Sequence, residues 1–311
     1  MKKGVLLVNI GTPDTPEAKE VRAYLRKFLG DRRVIDLPRV VWYPILYGPI
    51  LTFRPRKSAA LYKKIWTAEG SPLLIYMKKQ AAQLQALMPN ANIYYAMSYS
   101  APFIDDVLLH MQTDGVTDLT VIPMYPQYST TTTGAIYDAV ARYYLKQHDM
   151  PTLHFLKDFH VEEDYIKLLV KQIRSYLDQR HYDRIVLSYH GIPTSYVEKG
   201  DPYQRQCEAT TAAVRKLLPD QDMIMTYQSK FGPSTWLTPA TDETMKQLPH
   251  DGVRSILVVT PGFVADCLET IEEIEEENRH YFMENGGEIF DYVHPFNDDI
   301  EFTYILKKLV Q

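Results

Sequence analysis

Short apolar segments rich in β-branched residues alternate along the chain with longer amphipathic segments. Helical periodicity covers, for example, Pro16–Phe28, Glu162–Arg180 and Asp266–Asn285. Strands that are apolar on both faces and separated by helices are typical of parallel α/β sheets. The alternation therefore predicts parallel strands at Val5–Asn9, Ile93–Ser98, Leu119–Pro123, Leu153–Leu156, Arg184–Ser188, Met223–Tyr227, Ser255–Thr260 and Ile289–Val293.

The eight predicted strands fall into two groups of four. The chain has 311 residues, and ~150 residues is a common size for one domain. We therefore expect two similar α/β domains, residues 1–157 and 158–311. Ligands of open parallel sheets bind beyond the carboxyl ends of the strands. The expected site is the cleft between the domains, lined by residues that directly follow strands.

Charge and cysteine content exclude several classes of protein. The net charge is −5, from 34 basic and 39 acidic side chains, which argues against a general nucleic-acid binder. Cys207 and Cys267 are too few for a four-cysteine zinc site or a cysteine-bound iron–sulfur cluster, and they indicate a reducing, cytoplasmic location. No two glycines have G-x-G spacing, so the glycine-rich dinucleotide and P-loop fingerprints are absent. The apolar segment Gly4–Ile10 is too short for a signal peptide.

The segment Val40–Phe53 is strongly apolar, carries no charged residue, and contains two prolines and one glycine. It is shorter than the ~20 residues of a membrane-spanning helix. One interpretation is a buried loop or a broken helix. The other is an apolar lip, either at a pocket mouth or in peripheral contact with a membrane surface.

A histidine follows the fifth predicted strand, in the segment Ser188-Tyr189-His190-Gly191-Ile192-Pro193. Because Gly191 and Pro193 favour a turn, we expect the imidazole of His190 to point toward the cleft. There it can act as a base near neutral pH or as a metal ligand. The alternative is a histidine that only hydrogen-bonds the backbone of the turn.

Acidic side chains are concentrated in residues 266–277, which hold seven of the 39 acids and neither Lys nor Arg. Like charges four residues apart oppose helix formation, so helix stability does not explain this pattern. Carboxylate oxygens suit divalent cations such as Mg²⁺ and Fe²⁺. A helix of ordinary pitch would place five glutamates on one wide face: Glu269, Glu272, Glu273, Glu276 and Glu277. We therefore predict a path for divalent cations along this face.

Two other interpretations of the acidic segment stay open. The acids can form a solvated face, and Asp266 with Glu269 resembles a helix capping box. Glu269 lies nearest to the preceding strand end, so it pairs with His190 as a metal site or as a base for N–H protons. Cys267 lies beside these acids and is more typical of a small buried residue than of a ligand.

The chain resembles the ferrochelatase family, whose members insert ferrous iron into a porphyrin, over almost its whole length. The motifs that carry the resemblance are VNIGTPDTP, EGSPL, YPQYSTTTTG, LSYHGIP, GDPY, YQSKFGPSTWL and PGFVADCLETIEEIEEEN. The resemblance implies two Rossmann-like domains, each a four-stranded parallel sheet flanked by helices, with the porphyrin in the cleft. It implies a porphyrin and ferrous iron as substrates, no permanently bound cofactor, and a bacterial type of enzyme that is a monomer.

The resemblance also implies roles for individual residues. His190 and Glu269 match the catalytic histidine and glutamate, with His190 accepting a pyrrole proton or binding iron and Glu269 as its partner. The matching acidic relay, or secondary metal path, consists of Asp266, Glu273 and Glu277. The matching porphyrin-binding positions are Ile10, Tyr62, Tyr125 and Trp236.

The sequence departs from the family pattern at several points. Cys267 stands where many members have histidine, and Ser98 stands where some have an arginine thought to meet a porphyrin propionate. The cysteine-bearing extension of animal members is missing after Gln311, so we expect no iron–sulfur cluster. Members that act on coproporphyrin tend to have tyrosine in place of Ile10. We therefore expect protoporphyrin IX as the substrate and protohaem as the product.

Two alternatives to this function are kept. The first is a coproporphyrin III ferrochelatase. The second belongs to a different class, a non-enzymatic two-lobed protein that binds a tetrapyrrole or a metal. An assay for metal insertion distinguishes an enzyme from a binding protein.

Overall fold

The computed structural model describes residues 2–310 and contains two compact units, each built on its own sheet. The first sheet consists of β1 (Lys3–Asn9), β2 (Asn92–Met97), β3 (Asp118–Pro123) and β4 (Thr152–Phe155). Its strands are parallel, in the order β2-β1-β3-β4. The central strand β1 is covered on both faces, because the four side chains from Val5 to Val8 have no exposed area. This double coverage explains why its sequence is continuously apolar.

Helices cover the first sheet and complete the first unit. The α-helices are Ala18–Phe28, Arg39–Ile45, Leu51–Ile65, Pro72–Leu87, Ile104–Thr113, Ala135–Tyr144 and Ile300–Val310, and two short π-helices cover Leu46–Ile50 and Thr130–Gly134.

The second sheet consists of β5 (Arg184–His190), β6 (Met223–Gln228), β7 (Ser255–Val259) and β8 (Ile289–Val293). Its strands are also parallel, in the order β6-β5-β7-β8, which repeats the order of the first sheet. The prediction of two four-stranded parallel sheets flanked by helices is confirmed. The helices of the second unit are Glu163–Leu177, Thr194–Glu198, Tyr203–Leu217, Thr241–Gln247 and Arg279–Glu284, with a π-helix at Glu269–Asn278.

The C-terminal helix Ile300–Val310 belongs to the first unit, although the sequence-based division at residues 157 and 158 placed it in the second. The hydroxyl of Thr303 donates to Gln83 Oε1 at 2.7 Å, and Lys79 Nζ lies 2.8 Å from Asp298 Oδ2. The apolar face of the helix Ile300–Val310, including Phe302 and Leu306, is buried. The chain therefore leaves the first unit after β4 and returns to it after β8.

The segment Val40–Phe53 forms a broken helix. The helix Arg39–Ile45 runs into the wide turn Leu46–Ile50, which contains Gly48 at φ −80° and ψ −105°, and the helix Leu51–Ile65 follows. Trp42, Leu46 and Leu51 are buried, whereas other apolar side chains of the segment are exposed. In the part of the chain that the structure describes, no helix is both long and apolar enough to cross a bilayer.

Candidate active site

His190 is the last residue of β5 rather than a residue after it, because β5 extends two residues beyond the predicted end at Ser188. It lies opposite Gln228, the last residue of β6, in the parallel register. Its Nδ1 is 2.7 Å from the carbonyl oxygen of Gly191. A carbonyl only accepts hydrogen bonds, so Nδ1 carries the proton and Nε2 of the neutral ring holds the lone pair. Nε2 is thus the atom that can take a proton or bind a metal.

Trp236 packs directly against the end of β5. A Cβ atom at Gly191 would lie 3.2 Å from the indole ring of Trp236 and 2.8 Å from the carbonyl oxygen of Gln228. Only glycine therefore allows this close approach beside His190. Phe231 packs on the indole with ring centroids 5.1 Å apart. The indole Nε1 is buried and has no hydrogen-bond partner within residues 2–310.

Glu269 is the first residue of the π-helix Glu269–Asn278. Its backbone carbonyl oxygen accepts a hydrogen bond from Nε2 of Gln228 at 2.9 Å, which ties the start of this helix to the end of β6. Its carboxylate is hydrogen-bonded to the thiol of Cys267. Burial raises the pKa of this thiol well above its ordinary value, and the negative charge of Glu269 raises it further. The thiol of Cys267 is therefore a neutral hydrogen-bond donor to Glu269. The structure favours this role over that of a thiolate ligand to a metal.

Three hydrogen-bond donors converge on the carboxyl group of Glu273. The backbone N–H of Ser229 donates to Oε1 at 2.6 Å, and the Ser229 hydroxyl donates to Oε2 at 2.5 Å. The amide Nε2 of Gln228 donates to Oε2 at 3.2 Å. Burial raises the pKa of Glu273 to about 7, as does the charge of Glu269, while the three hydrogen bonds oppose the rise. Glu273 can therefore hold or release a proton near neutral pH.

Ser229 reaches Glu273 with both groups because its backbone has a φ of 65°. This left-handed conformation is uncommon for residues other than glycine, asparagine and aspartate. Such strain is found where the surrounding contacts require it, often at functional sites. At Ser229 it brings two donors onto one carboxylate.

The helix that carries most of the acids of residues 266–277 is a π-helix over Glu269–Asn278, and not the ordinary helix that the prediction assumed. A π-helix bonds each residue to the fifth residue along the chain instead of the fourth, so the angular spacing used for that prediction does not apply. Glu272 is buried, Glu276 is exposed, and Glu275 lies 3.7 Å from Nε2 of His294. Glu277 is exposed and accepts a hydrogen bond from the Tyr281 hydroxyl at 2.8 Å, which raises the pKa of Tyr281 to about 12.

Asp266 faces the end of β8 and not the carboxyl group of Glu273. Its Oδ2 is 3.0 Å from Nδ1 of His294 and accepts from Nδ2 of Asn297 at 2.7 Å. Its Oδ1 accepts from the Thr270 hydroxyl at 2.8 Å. The hydrogen bond from His294 to Asp266 raises the pKa of the imidazole against the effect of burial. Asp266 thus joins β8 to the start of the π-helix.

The other predicted porphyrin-binding residues lie in the first unit. Ile10 directly follows β1, and its carbonyl oxygen accepts from the N–H of Tyr99 at 3.1 Å. Tyr62 is buried on the helix Leu51–Ile65 and meets Trp66 edge to face, with ring centroids 6.4 Å apart. Tyr125 follows β3 and packs, half-buried, on the core. Ile10 and Tyr125 thus follow strands of the first sheet, whereas Tyr62 lies within a helix.

Gln228 and Ser229 are the residues whose importance the sequence did not reveal. Both lie in the YQSKFGPSTWL motif, directly after the predicted end of β6. Their position at the strand that neighbours His190 was the available signal. Within residues 2–310, no group of three or more His, Cys, Asp or Glu side chains is arranged to hold a metal ion. Three predicted site residues neighbour Gln228: His190 through the strand register, and Glu269 and Glu273 through hydrogen bonds.

Comparison with known proteins gives a single family. A family model described as Ferrochelatase matches residues 2–311. A coproporphyrin III ferrochelatase from Enterococcus faecalis (strain ATCC 700802 / V583) is 50% identical over 309 residues, covering 99% of each chain. Another, from Lactococcus lactis subsp. cremoris (strain SK11), is 49% identical over 100% of this chain and 96% of its own. A ferrochelatase from Yersinia pestis (strain Pestoides F) is 45% identical over 100% of this chain and 98% of its own.

Solved structures of chelatases share the fold. SirB from Bacillus subtilis with Fe3+ gives a TM-score of 0.59 at 14% identity, covering 99% of this chain and 95% of that chain. The sirohydrochlorin chelatase SirB from Bacillus subtilis subspecies spizizenii in complex with cobalt gives 0.57 at 13% identity, covering 98% and 93%. At these identities the similarity supports the fold alone.

Proposed function

The chain belongs to the ferrochelatase family, and we propose that it inserts ferrous iron into coproporphyrin III. This substrate assignment depends on what the similar proteins are called. The relatives from Enterococcus faecalis and Lactococcus lactis, at 49–50% identity over nearly the whole chain, are coproporphyrin III ferrochelatases, and the Yersinia pestis ferrochelatase is 45% identical. The expectation of protoporphyrin IX depended mainly on Ile10, a single position. Similarity over the whole chain outweighs that one residue.

In the reaction, one Fe²⁺ replaces two pyrrole N–H protons, so the enzyme must accept two protons for each metal inserted. We assign the first acceptor to Nε2 of His190, since Nδ1 is committed to the Gly191 carbonyl. Glu269 partners His190. Glu273 takes up and releases a proton near neutral pH because burial raises its pKa to about 7. Holding a bent porphyrin, in which a pyrrole lone pair meets the metal, would use binding energy from the rest of the macrocycle.

The test is a comparison of two porphyrins under anaerobic conditions. Ferrous iron is mixed with coproporphyrin III or protoporphyrin IX, and loss of free-porphyrin fluorescence gives kcat/KM for each. We expect a higher kcat/KM for coproporphyrin III, and turnover of either porphyrin should be lost in His190→Ala. A higher value for protoporphyrin IX would overturn the substrate assignment. Binding of one equivalent of porphyrin without turnover would instead indicate a binding protein.

We also propose that Val40–Phe53 contacts an anionic lipid surface from one side. Its exposed apolar side chains include Val40, Tyr47 and Phe53, at 85%, 51% and 69% exposure. The exposed basic residues Arg56 and Lys57 follow on the next helix. An apolar face beside basic side chains is the composition that binds at membrane interfaces.

Vesicle co-sedimentation tests this contact, using phosphatidylcholine vesicles with and without phosphatidylserine. The variant Phe53→Ser should reduce binding to the anionic vesicles, and so should Val40→Ser. Leu145→Ser is the matched control, since Leu145 is also 85% exposed but lies outside the segment. Equal binding by all variants would refute the contact. A change of oligomeric state in Phe53→Ser would assign the segment to contact between copies of the chain.

A further inference from the structure

Gln228 is buried at the carboxyl end of β6, in register with His190. Its backbone carbonyl accepts from the N–H of Gly191 at 2.8 Å, which holds the ends of β5 and β6 together. Its side chain lies between the strand end and the π-helix. Both polar atoms of the amide are hydrogen-bonded there, as a buried amide requires.

The amide of Gln228 has only one favourable orientation. Its Oε1 accepts from the hydroxyl of Ser188 at 2.9 Å, and Ser188 Oγ is 2.9 Å from Oγ1 of Thr241. Its Nε2 donates to the carbonyl oxygen of Glu269 and to the carboxylate of Glu273. A flipped amide would place Oε1 against two other acceptors, the carbonyl oxygen of Glu269 and the carboxylate of Glu273. These two acceptors therefore fix the orientation of the amide, while the Ser188 hydroxyl satisfies its Oε1.

Gln228 is also the group that joins the two acids. Ser229 donates twice to Glu273, but the contact with the backbone of Glu269 comes from Gln228. Hydrogen bonds to charged groups are worth more than those between neutral groups. Loss of the amide would remove the hydrogen bond to the backbone of Glu269 and one of the three hydrogen bonds to the carboxylate of Glu273.

We propose that Gln228 is a positioning residue for metallation, setting Glu269 and Glu273 relative to the end of the strand that carries His190. It acts through these acids and does not itself need to contact porphyrin or iron. This inference depends on the proposed function, in which the two acids take part in metal insertion and proton transfer. It predicts that Gln228 affects the rate of insertion and not the binding of the porphyrin.

The test uses the variants Gln228→Leu and Gln228→Glu with coproporphyrin III and ferrous iron. Gln228→Glu keeps the size of the side chain but replaces the NH₂ donor by an acceptor, so it decides the question if Gln228→Leu does not fold. We expect kcat to fall by about tenfold or more, the value of a hydrogen bond to a charged group. The KM for porphyrin should change by less than twofold. The control is Gln206→Leu, which removes a buried amide that accepts from the N–H of Tyr128 at 2.6 Å, and it should retain its kcat.

A double-mutant cycle with Glu273→Gln separates positioning from a general loss of stability. If Gln228 acts partly through Glu273, its replacement should cost clearly less in the Glu273→Gln background than in the wild type. Additive losses, or wild-type kcat in a folded Gln228→Glu variant, would overturn the inference. If wild-type protein does not turn over coproporphyrin III, the proposed function itself fails. Turnover by wild type with no effect of the variants rejects only the role of Gln228.

Discussion

The buried carboxyl group of Glu273 predicts a pH dependence of stability that can be worked out with its sign. Burial raises its pKa from 4.5 to about 7. Below pH 4.5 the group is protonated in both the folded and the unfolded chain and contributes no pH dependence. Between these values the unfolded chain releases its proton first, so rising pH favours unfolding. Above the folded-state pKa, the loss in free energy of unfolding is complete. It amounts to about 3 kcal/mol, at about 1.4 kcal/mol per pKa unit.

The variant Glu273→Gln removes this titration and should gain stability over the wild type as pH rises. The free energy of unfolding of the variant, relative to the wild type, should increase by roughly 2 to 3 kcal/mol between pH 5 and pH 8. Changes in packing or hydrogen bonding add a constant offset and do not alter this slope.

The assay is urea unfolding at several pH values, followed by the fluorescence of Trp236. Of the three tryptophans, Trp42 and Trp66 lie in the first unit and Trp236 lies in the second. A background with both first-unit tryptophans changed to Phe therefore reports the unit that holds Glu273. Gln206→Leu, which removes no ionisable group, should give a pH-independent difference. A flat difference for Glu273→Gln, or one that grows toward acid pH, would refute the reasoning.

Two further predictions concern packing and charge in the second unit. A Cβ atom at Gly287 would lie 2.2 Å from the Phe282 ring, so Gly287→Ala should lower the free energy of unfolding by about 1–3 kcal/mol. Thermal unfolding measures the loss. Phe282→Leu should recover part of it in the Gly287→Ala background but should not stabilise the wild type. The hydrogen bond to Asp266, together with its charge, raises the pKa of His294. Asp266→Asn removes the charge and weakens the hydrogen bond, so the imidazole pKa should fall in an NMR titration. An unchanged value would contradict the assigned hydrogen bond.

The positions of the strands along the chain were predictable because the information is local. Each strand is a short apolar segment between helices, and the continuous apolar character of Val5–Val8 follows from burial on both faces. His190 was recognisable by its place at the end of such a segment.

Three features of the second unit could not be predicted in this way. The pitch of Glu269–Asn278 was misjudged because the expected faces assumed an ordinary α-helix, and a π-helix changes which side chains share a face. The side-chain hydrogen bonds of Gln228 join residues 40 to 45 positions apart, so no local pattern contains them. The left-handed backbone of Ser229 could not be predicted, because serine, unlike glycine, does not indicate this conformation. The contacts that place Gln228 and Ser229 are thus long-range.

The return of the C-terminal helix to the first unit constrains how the protein is made on the ribosome. The first sheet is completed by Phe155, but the helix that packs on Pro72–Leu87 begins 145 residues later, at Ile300. At about 5–20 residues per second, synthesis of that interval takes roughly 7 to 30 seconds. During this time the second unit can emerge and fold, while the apolar side of Pro72–Leu87 lacks its partner helix. The N-terminal unit is therefore the last to be finished, and a nascent chain has a defined interval in which a chaperone can bind that surface.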